Sequence, residues 1–415
     1  MTPRAVVTGL GVISGLGLGV SALWDGLCAA VQTPCRRSAL VPLGLGELPI
    51  ALAPLLAAVD ADAGDGQVLL DGGRRAVQLA ERAADEALAD AQWPSARGAS
   101  PSARFGVCVG TTLGEKAPWI GAMRQLVLRP EATAAGSQAA EMAGEFGCAA
   151  PARWLARRHG AGRVRVVSTA CASGNAAFGV ALDWIRGGLC DAVLCGGVDA
   201  LHEFVLSGFL SLRAHSSSPC RPFDAARTGL NLGEGAGFLL VESESHALRR
   251  GARIRASLDG YGLSCDARHM TGPDREGRGA ARAMLAALSD AGLTAAEVDF
   301  VSAHGTATLF NDLMEARALE SVLATRSASV PVNSIKGSIG HTLGAAGAIE
   351  AVMAVRVLES QCIPPTAGHQ NADPQIGLDI VAGAPRQAQV ATILSTSSGF
   401  GGINSAVVLT SRWAA

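Results

Sequence analysis

A single cysteine, Cys171, stands where the apolar run Val166-Val167 gives way, through Ser168-Thr169-Ala170, to the small residues Ala172-Ser173-Gly174-Asn175. A strand that turns abruptly into a helix presents a thiol to the free N–H groups and positive end of that helix. Such a setting favours a thiolate and suits a nucleophile. Free cysteines also pack as small hydrophobes, so this turn alone leaves both readings open. Two further stretches change the balance. Ser302-Ala303-His304-Gly305-Thr306-Ala307-Thr308 follows the apolar run from Val298 to Val301, and Asn333-Ser334-Ile335-Lys336-Gly337-Ser338-Ile339-Gly340-His341 follows Val330 to Val332. In open α/β folds, side chains just past strand ends collect in one crevice. A lone histidine there usually packs or faces water; two histidines and a lysine in equivalent settings point to chemistry. Lys336 adds weight because the chain has only one other lysine, Lys116, and otherwise uses arginine. A compact ammonium can approach an imidazole in a way a guanidinium fork cannot.

Near the C-terminus, Gly399-Phe400-Gly401-Gly402-Ile403-Asn404 leads into an apolar strand from Ser405 to Thr410. An ordinary turn is the plain reading. The glycines also permit a loop whose backbone N–H groups point at a reacting carbonyl oxygen, and that reading is preferred.

The elements that must position these groups follow a repeated plan. From Val164 to Gly188 the pattern is strand, reactive turn, then a Gly/Ala-rich helix ending at Gly187-Gly188; from Val330 to Leu358 it recurs with Lys336 and His341 in the turn. Glycine-rich turns before apolar strands also occur twice, at Gly233 to Gly237 and at Gly399 to Gly402. The echo predicts two βαβ-type halves, 1–250 and 251–415. No linker rich in proline, serine or charge divides the 415 residues, which are ample for a large core. The least patterned segment, Leu40 to Gly73, is expected to be a flexible or variable connection.

Composition narrows the functional class. A net charge of −2 excludes the strong basic excess of a nucleic-acid binder. The ten cysteines are scattered and form no C-x-x-C pair, which removes zinc-ribbon and thioredoxin-like readings and fits a reduced, cytoplasmic chain. Arg4 and the run Ala5 to Leu23 faintly suggest a signal peptide. Five interrupting glycines fit a strand, turn and helix better. No apolar segment is long enough to span a bilayer.

Taken together, the motifs resemble the β-ketoacyl-[acyl-carrier-protein] synthases, specifically the elongating Cys-His-His type of the thiolase superfamily. The resemblance begins at Val6-Val7-Thr8-Gly9-Leu10-Gly11-Val12. It continues through Arg221-Pro222-Phe223-Asp224, Gly233-Glu234-Gly235-Ala236-Gly237 and His341-Thr342-Leu343-Gly344-Ala345-Ala346-Gly347-Ala348-Ile349-Glu350, and ends at the glycine loop. It implies an α/β thiolase-like fold with two similar halves in an α-β-α-β-α sandwich, and a homodimer or a heterodimer with a related subunit. It also implies decarboxylative Claisen condensation of an acyl group on Cys171 with malonyl-acyl-carrier protein. In this scheme His304 and His341 hold the enolate oxygen, and backbone N–H groups of Cys171 and Phe400 form the oxyanion hole. Lys336 tunes the histidines, and Glu350 is its expected partner, since a buried ammonium without one would be costly. Thr306 and Thr308 match positions that hydrogen-bond the phosphopantetheine arm, no cofactor being bound permanently. Phe400 matches the gate to the acyl pocket, and Leu113 is expected against it. Arg74, Arg75 and Arg213 match a docking patch for the acidic carrier protein.

The chain departs from housekeeping members at Leu309-Phe310-Asn311-Asp312, where Pro-x-Gly-Asp is common, and at Ser398 and Ile403. Its pocket segment Gly110 to Lys116 is also more polar than a simple fatty-acyl tunnel. These differences leave fatty-acid elongation and a specialised polyene, aryl polyene or polyketide pathway both open. A non-catalytic chain-length partner would share the fold but lack the nucleophile. A degradative thiolase would carry a second cysteine late in the chain, and none follows Cys362.

Overall fold

The computed structural model describes residues 2–37, 48–54, 74–94, 102–116 and 147–412. Most of the segment expected to be a variable connection therefore lies outside the described residues. Of the part inside it, residues 48–54, Leu48–Ala51 is a short strand paired in parallel with Leu232–Gly233.

Ten principal strands form two sets of five. The first set is β1 (Ala5–Ser14), β2 (Ser102–Gly110), β3 (Ala161–Val167), β4 (Ala192–Asp199) and β5 (Gly235–Ser243). The second is β6 (Ala256–Cys265), β7 (Phe300–Ser302), β8 (Pro331–Asn333), β9 (Thr392–Gly399) and β10 (Ile403–Thr410). In space the first set runs β3-β2-β4-β5-β1, with two parallel pairings followed by two antiparallel ones. The second set runs β8-β7-β9-β10-β6 with the same sequence of pairings. β1 and β6 join the sets by antiparallel pairing of Ala5–Val7 with Ala256–Leu258.

Helices fill the layers between and outside these sets. On one outer face, α2 (Arg75–Asp90) and α3 (Ala150–His159) cover the first set; α1 (Gly19–Cys28) follows β1. In the middle, α4 (Ser173–Arg186) and α8 (Ala346–Ser360) touch strands of both sets. On the far face, α6 (Arg278–Asp290) packs on the second set and α7 (Leu309–Leu323) packs on α6. The remaining labelled helix, α5, spans Glu203–Ser211. The result is the five-layered thiolase-like sandwich. Its apolar cores sit accordingly: one around α4 and α8, and one under each outer helix layer. Residues Ala346 to Val355 of α8 are all buried, as expected of a helix apolar on every face except at Glu350.

The duplication extends to atomic packing. Gly9 and Gly11 in β1 lie so close to α2 that a Cβ on Gly11 would stand 1.9 Å from the Ala83 carbonyl oxygen. Gly260 and Gly262 in β6 repeat this against α6, where a Cβ on Gly262 would stand 2.0 Å from the Ala283 oxygen. Asp90 accepts from Leu10 N–H and Asp290 from Tyr261 N–H, the residue between the two glycines in each case. One expectation fails here. Gly233 to Gly237 is not a turn before a strand: Gly235 and Gly237 already belong to β5, where α8 approaches the backbone.

Candidate active site

β3 ends at Val167, and Ala170 adopts a left-handed conformation (φ +50°) that turns the chain sharply before α4 begins at Ser173. The Ser173 hydroxyl accepts a hydrogen bond from Thr169 N–H (2.9 Å) and fixes this turn. Cys171 sits at its apex, buried. Gly174, in the first turn of α4, explains how the other half comes so near. A Cβ there would lie 2.8 Å from Ala348 N and 2.9 Å from Gly344 O, in the segment just beyond His341. With that side chain absent, His341 Nε2 stands 3.0 Å from Cys171 Sγ. The His304 ring lies perpendicular to that of His341, with centroids 5.3 Å apart.

His304 is held by residues that sequence reasoning did not single out. The buried Glu315 carboxylate on α7 accepts from His304 N–H and Gly305 N–H, both at 2.8 Å, and from the Thr396 hydroxyl at 2.7 Å. Ser334 Oγ donates to Gly305 O (2.7 Å) from the other side. Asp199 plays a similar part at the end of β4: it accepts from the Thr111 hydroxyl (2.7 Å), Thr112 N–H (2.8 Å), Leu113 N–H (3.1 Å) and Gly344 N–H (2.7 Å). For Asp199 the only sequence signal was an acidic residue inside an otherwise apolar stretch; Glu315, on a helix that also carries Asp312 and Arg317, gave none.

Lys336 begins a one-turn helix, is 1 % exposed, and is paired with the equally buried Glu350. Breaking such a pair strands a charge in the interior. Burial pushes both imidazoles well below their ordinary range, and the nearby Lys336 ammonium pushes them the same way. Each ring is therefore neutral near pH 7 and carries one N–H. Burial also lifts the Cys171 thiol up to about 12, with Lys336 as the main opposing influence. Desolvation thus acts against the thiolate that the helix terminus was expected to favour.

A cavity of about 460 Å³ reaches these groups, lined among others by Cys171, His304, His341, Thr306, Thr308 and Phe400. The two threonine hydroxyls are 2.9 Å apart. Phe400 stands in the tight turn joining β9 to β10, and the residue before it presses on the nucleophile: a Cβ on Gly399 would be 3.1 Å from Cys171 N. The ring that meets Phe400 is Phe209 of α5, at 5.6 Å between centroids. Leu113 packs in the same apolar group as Phe209 and does not line the cavity.

The three candidate docking arginines are scattered. Arg213 lines the cavity; the Arg74 guanidinium lies over the Trp154 ring at 5.6 Å. Arg75 is a correction. Its side chain is only 12 % exposed and forms an ion pair with the fully buried Glu234, besides donating to Ala53 O (3.1 Å). That carboxylate also accepts from Ala53 and Leu201 N–H, so Arg75 neutralises a buried structural anion rather than facing a partner. Among the described residues no helix is long and apolar enough to cross a membrane.

Comparison with known proteins places this geometry. Residues 74–247 match the family model for the β-ketoacyl synthase N-terminal domain, and residues 255–370 the model for the C-terminal domain. The tetracenomycin polyketide synthase ketoacyl synthase alpha subunit of Streptomyces glaucescens is 36% identical over 428 residues, covering 98% of this chain and 96% of its own. The 3-oxoacyl-[acyl-carrier-protein] synthase 2 of Synechocystis sp. is 42% identical over 246 residues, 57% of this chain and 58% of its own. Among solved structures, a type II polyketide ketosynthase in complex with its acyl-carrier protein and bound to the hexaketide aligns with TM-score 0.87 and 32% identity, over 99% of this chain and 100% of the other. The ishigamide ketosynthase/chain length factor aligns with TM-score 0.85 and 34% identity over 100% of both.

Proposed function

The chain belongs to the β-ketoacyl synthase family, and from that premise we propose how its own residues divide the reaction. The enzyme is an acyltransferase: it condenses an acyl group with a malonyl unit on acyl-carrier protein, with loss of carbon dioxide, to give a β-ketoacyl-carrier protein. In the first step Cys171 sulfur attacks the carrier-bound thioester. An Nε2–H on His341 donates to that sulfur as charge gathers on it, and the thiol proton ends on the departing pantetheine sulfur. Malonyl-carrier protein then enters. As its carboxylate leaves as carbon dioxide, the electron pair passes into an enolate whose oxygen is held by N–H donors of His304 and His341. The enolate carbon attacks the acyl carbonyl on Cys171, whose oxygen is met by the N–H groups of Cys171 and Phe400. Collapse breaks the carbon–sulfur bond, releases the β-ketoacyl product and leaves Cys171 as a thiolate, which takes a proton from water to restore the thiol. Each such donor is worth about 3–4 kcal/mol of transition-state stabilisation.

The observation that carries this reading is the 3.0 Å approach of His341 Nε2 to Cys171 Sγ, with His304 beside it in the same cavity. A non-catalytic chain-length partner has no use for such a contact. Thr306 and Thr308 hydrogen-bond the phosphopantetheine arm of the carrier, Phe400 gates the acyl pocket with Phe209 behind it, and Arg213 receives the acidic carrier at the entrance. The substrate belongs to a specialised polyketide or polyene pathway. Support comes from the near-full-length likeness to a polyketide ketosynthase and from Leu309 and Phe310, which stand 54 % and 60 % exposed at the cavity where housekeeping members have a different tetrapeptide.

Intact-mass detection tests the reading. Offered carrier-loaded chains of several lengths, the protein should retain an acyl group on Cys171, conjugated or polyketide chains more fully than saturated ones. A preference for saturated chains would return the enzyme to fatty-acid elongation, and no acylation from any carrier would refute the assignment of Cys171. Arg213→Glu should raise KM for acyl-carrier protein and leave KM for a small thioester unchanged; equal effects would remove Arg213 from the dock.

A further inference from the structure

The C-terminal ends of α1 and α8 meet. The Arg356 guanidinium of α8 lies over the Trp24 ring of α1 at 5.4 Å. Leu27 and Ile363, both fully buried, belong to the same central apolar core. Each has a cysteine beside it in sequence. Cys28 is the last residue of α1, and Cys362 opens the short strand Cys362–Ile363 that follows α8. Both thiols are free and only partly buried, and Cys362 faces Cys28 closely enough to raise its pKa. A second pair shows what is particular here. Cys108 on β2 and Cys195 on β4 stand directly opposite in parallel strands, yet both are fully buried and one sheet already holds them together. Cys28 and Cys362 are open to solvent, and their elements come from different halves of the chain, α1 following β1 and Cys362–Ile363 pairing with Arg386–Gln387.

We propose that Cys28 and Cys362 form a redox modification site, at which an oxidant of the peroxide class joins them in a reversible disulfide that straps the two halves of the chain. Burial, Cys362 and Asp25 push the Cys28 thiol up to about 11, so Cys28 keeps its proton and the first attack falls to Cys362. The Cys362 thiolate sulfur attacks one oxygen of hydrogen peroxide. The O–O bond breaks, and the departing hydroxide leaves as water with the proton the thiol gave up. The Cys28 sulfur then attacks the resulting sulfenic acid. An S–S bond forms, the S–O bond breaks, and a second water carries away the Cys28 proton. Two thiols thus lose two electrons and two protons, and one peroxide is reduced to two waters. A bond between residues 28 and 362 closes a loop that takes in most of the chain, and long loops are where a crosslink restrains the unfolded state most.

Neither cysteine lines the cavity at Cys171, and the inference rests on none of the condensation chemistry. To test it, the whole chain is treated with limiting hydrogen peroxide, remaining thiols are alkylated, and the digest is read by mass spectrometry without reductant. A peptide joining Cys28 to Cys362 should appear, about 2 Da lighter than its two thiol halves together, and dithiothreitol should remove it. The oxidised protein should unfold at least about 3 °C above the reduced one. C28S and C362S should each lose both the crosslink and the gain in unfolding temperature, while condensation by the reduced variants proceeds at the wild-type rate. Separate oxidation of the two cysteines, or oxidation of neither, would overturn the pairing. A crosslink that leaves the unfolding temperature unchanged would overturn the strap.

Discussion

The halves of this molecule share a strand order, a pair of strand glycines pressed on helix alanines, and an aspartate capping the strand between those glycines, yet they carry different chemistry. After β3 the first half places a thiol. After β8, its counterpart, the second half places Lys336 and His341, and after β7 it adds His304. On the proposed division of the reaction, one scaffold serves twice: once to hold the nucleophile and once to hold donors for a developing enolate. Function is set by what stands just past the strand ends, while the strands themselves are interchangeable supports.

The sharpest way to break that division is to remove one half's chemistry and ask whether the other survives. Cys171→Ala should abolish condensation, by at least about 10⁴-fold, because no acyl-enzyme can form. Decarboxylation of malonyl-carrier protein should persist, since its donors lie in the other half; loss of both together would show that the halves do not act separately. Next in size is the Lys336–Glu350 ion pair of the second half. Lys336→Met should cost about 3–5 kcal/mol in chemical denaturation by stranding Glu350, and adding Glu350→Leu should recover part of it. Strict additivity of the two substitutions would contradict the pairing.

Much of this was legible in the sequence because it is local. A reactive residue after an apolar run, followed by a Gly/Ala-rich helix, is written within about ten residues, and Cys171, His304, Lys336 and His341 all sit in such runs. The repeated strand–turn–helix plan announced the duplication. What remained hidden depends on partners distant in sequence. Glu315 and Thr396 fix His304 from elements that the motif does not contain, and Asp199 bridges Thr111 to Gly344 across the junction of the halves. Arg75 read as a surface cation because its partner, Glu234, lies far along the chain. The glycines of Gly233 to Gly237 read as a turn, whereas they admit close neighbours, Ile339 at Gly233, β1 at Gly235 and α8 at Gly237, which only the packed structure reveals.

The shared scaffold makes a smaller prediction. Gly11→Ala and Gly262→Ala drive a Cβ into equivalent helix carbonyls, so each should destabilise by a similar amount, about 1–3 kcal/mol in thermal or denaturant unfolding. A large difference between them would mean that the halves bear load unequally. Smallest is a pH effect confined to the nucleophile's half. Because burial lifts the Cys171 pKa to about 12, the folded protein holds a proton that the unfolded chain releases near about pH 8.5. Alkylation of Cys171 by a small neutral reagent should therefore keep rising with pH and show no plateau below about pH 10. The same raised pKa favours the folded state below the unfolded value and withdraws that contribution as pH climbs toward about 12. A plateau near neutrality would reveal a resting thiolate instead.

One measurement reaches the division of labour most directly: the intact mass of the His304→Ala chain after incubation first with acyl-carrier protein and then with malonyl-carrier protein. The nucleophile's half is untouched, so the acyl mass should load onto Cys171 and then remain there, undischarged, because the enolate is no longer held. Failure to load would place His304 in the acylation step, and prompt discharge into a β-ketoacyl product would show that the second half does not perform the chemistry assigned to it.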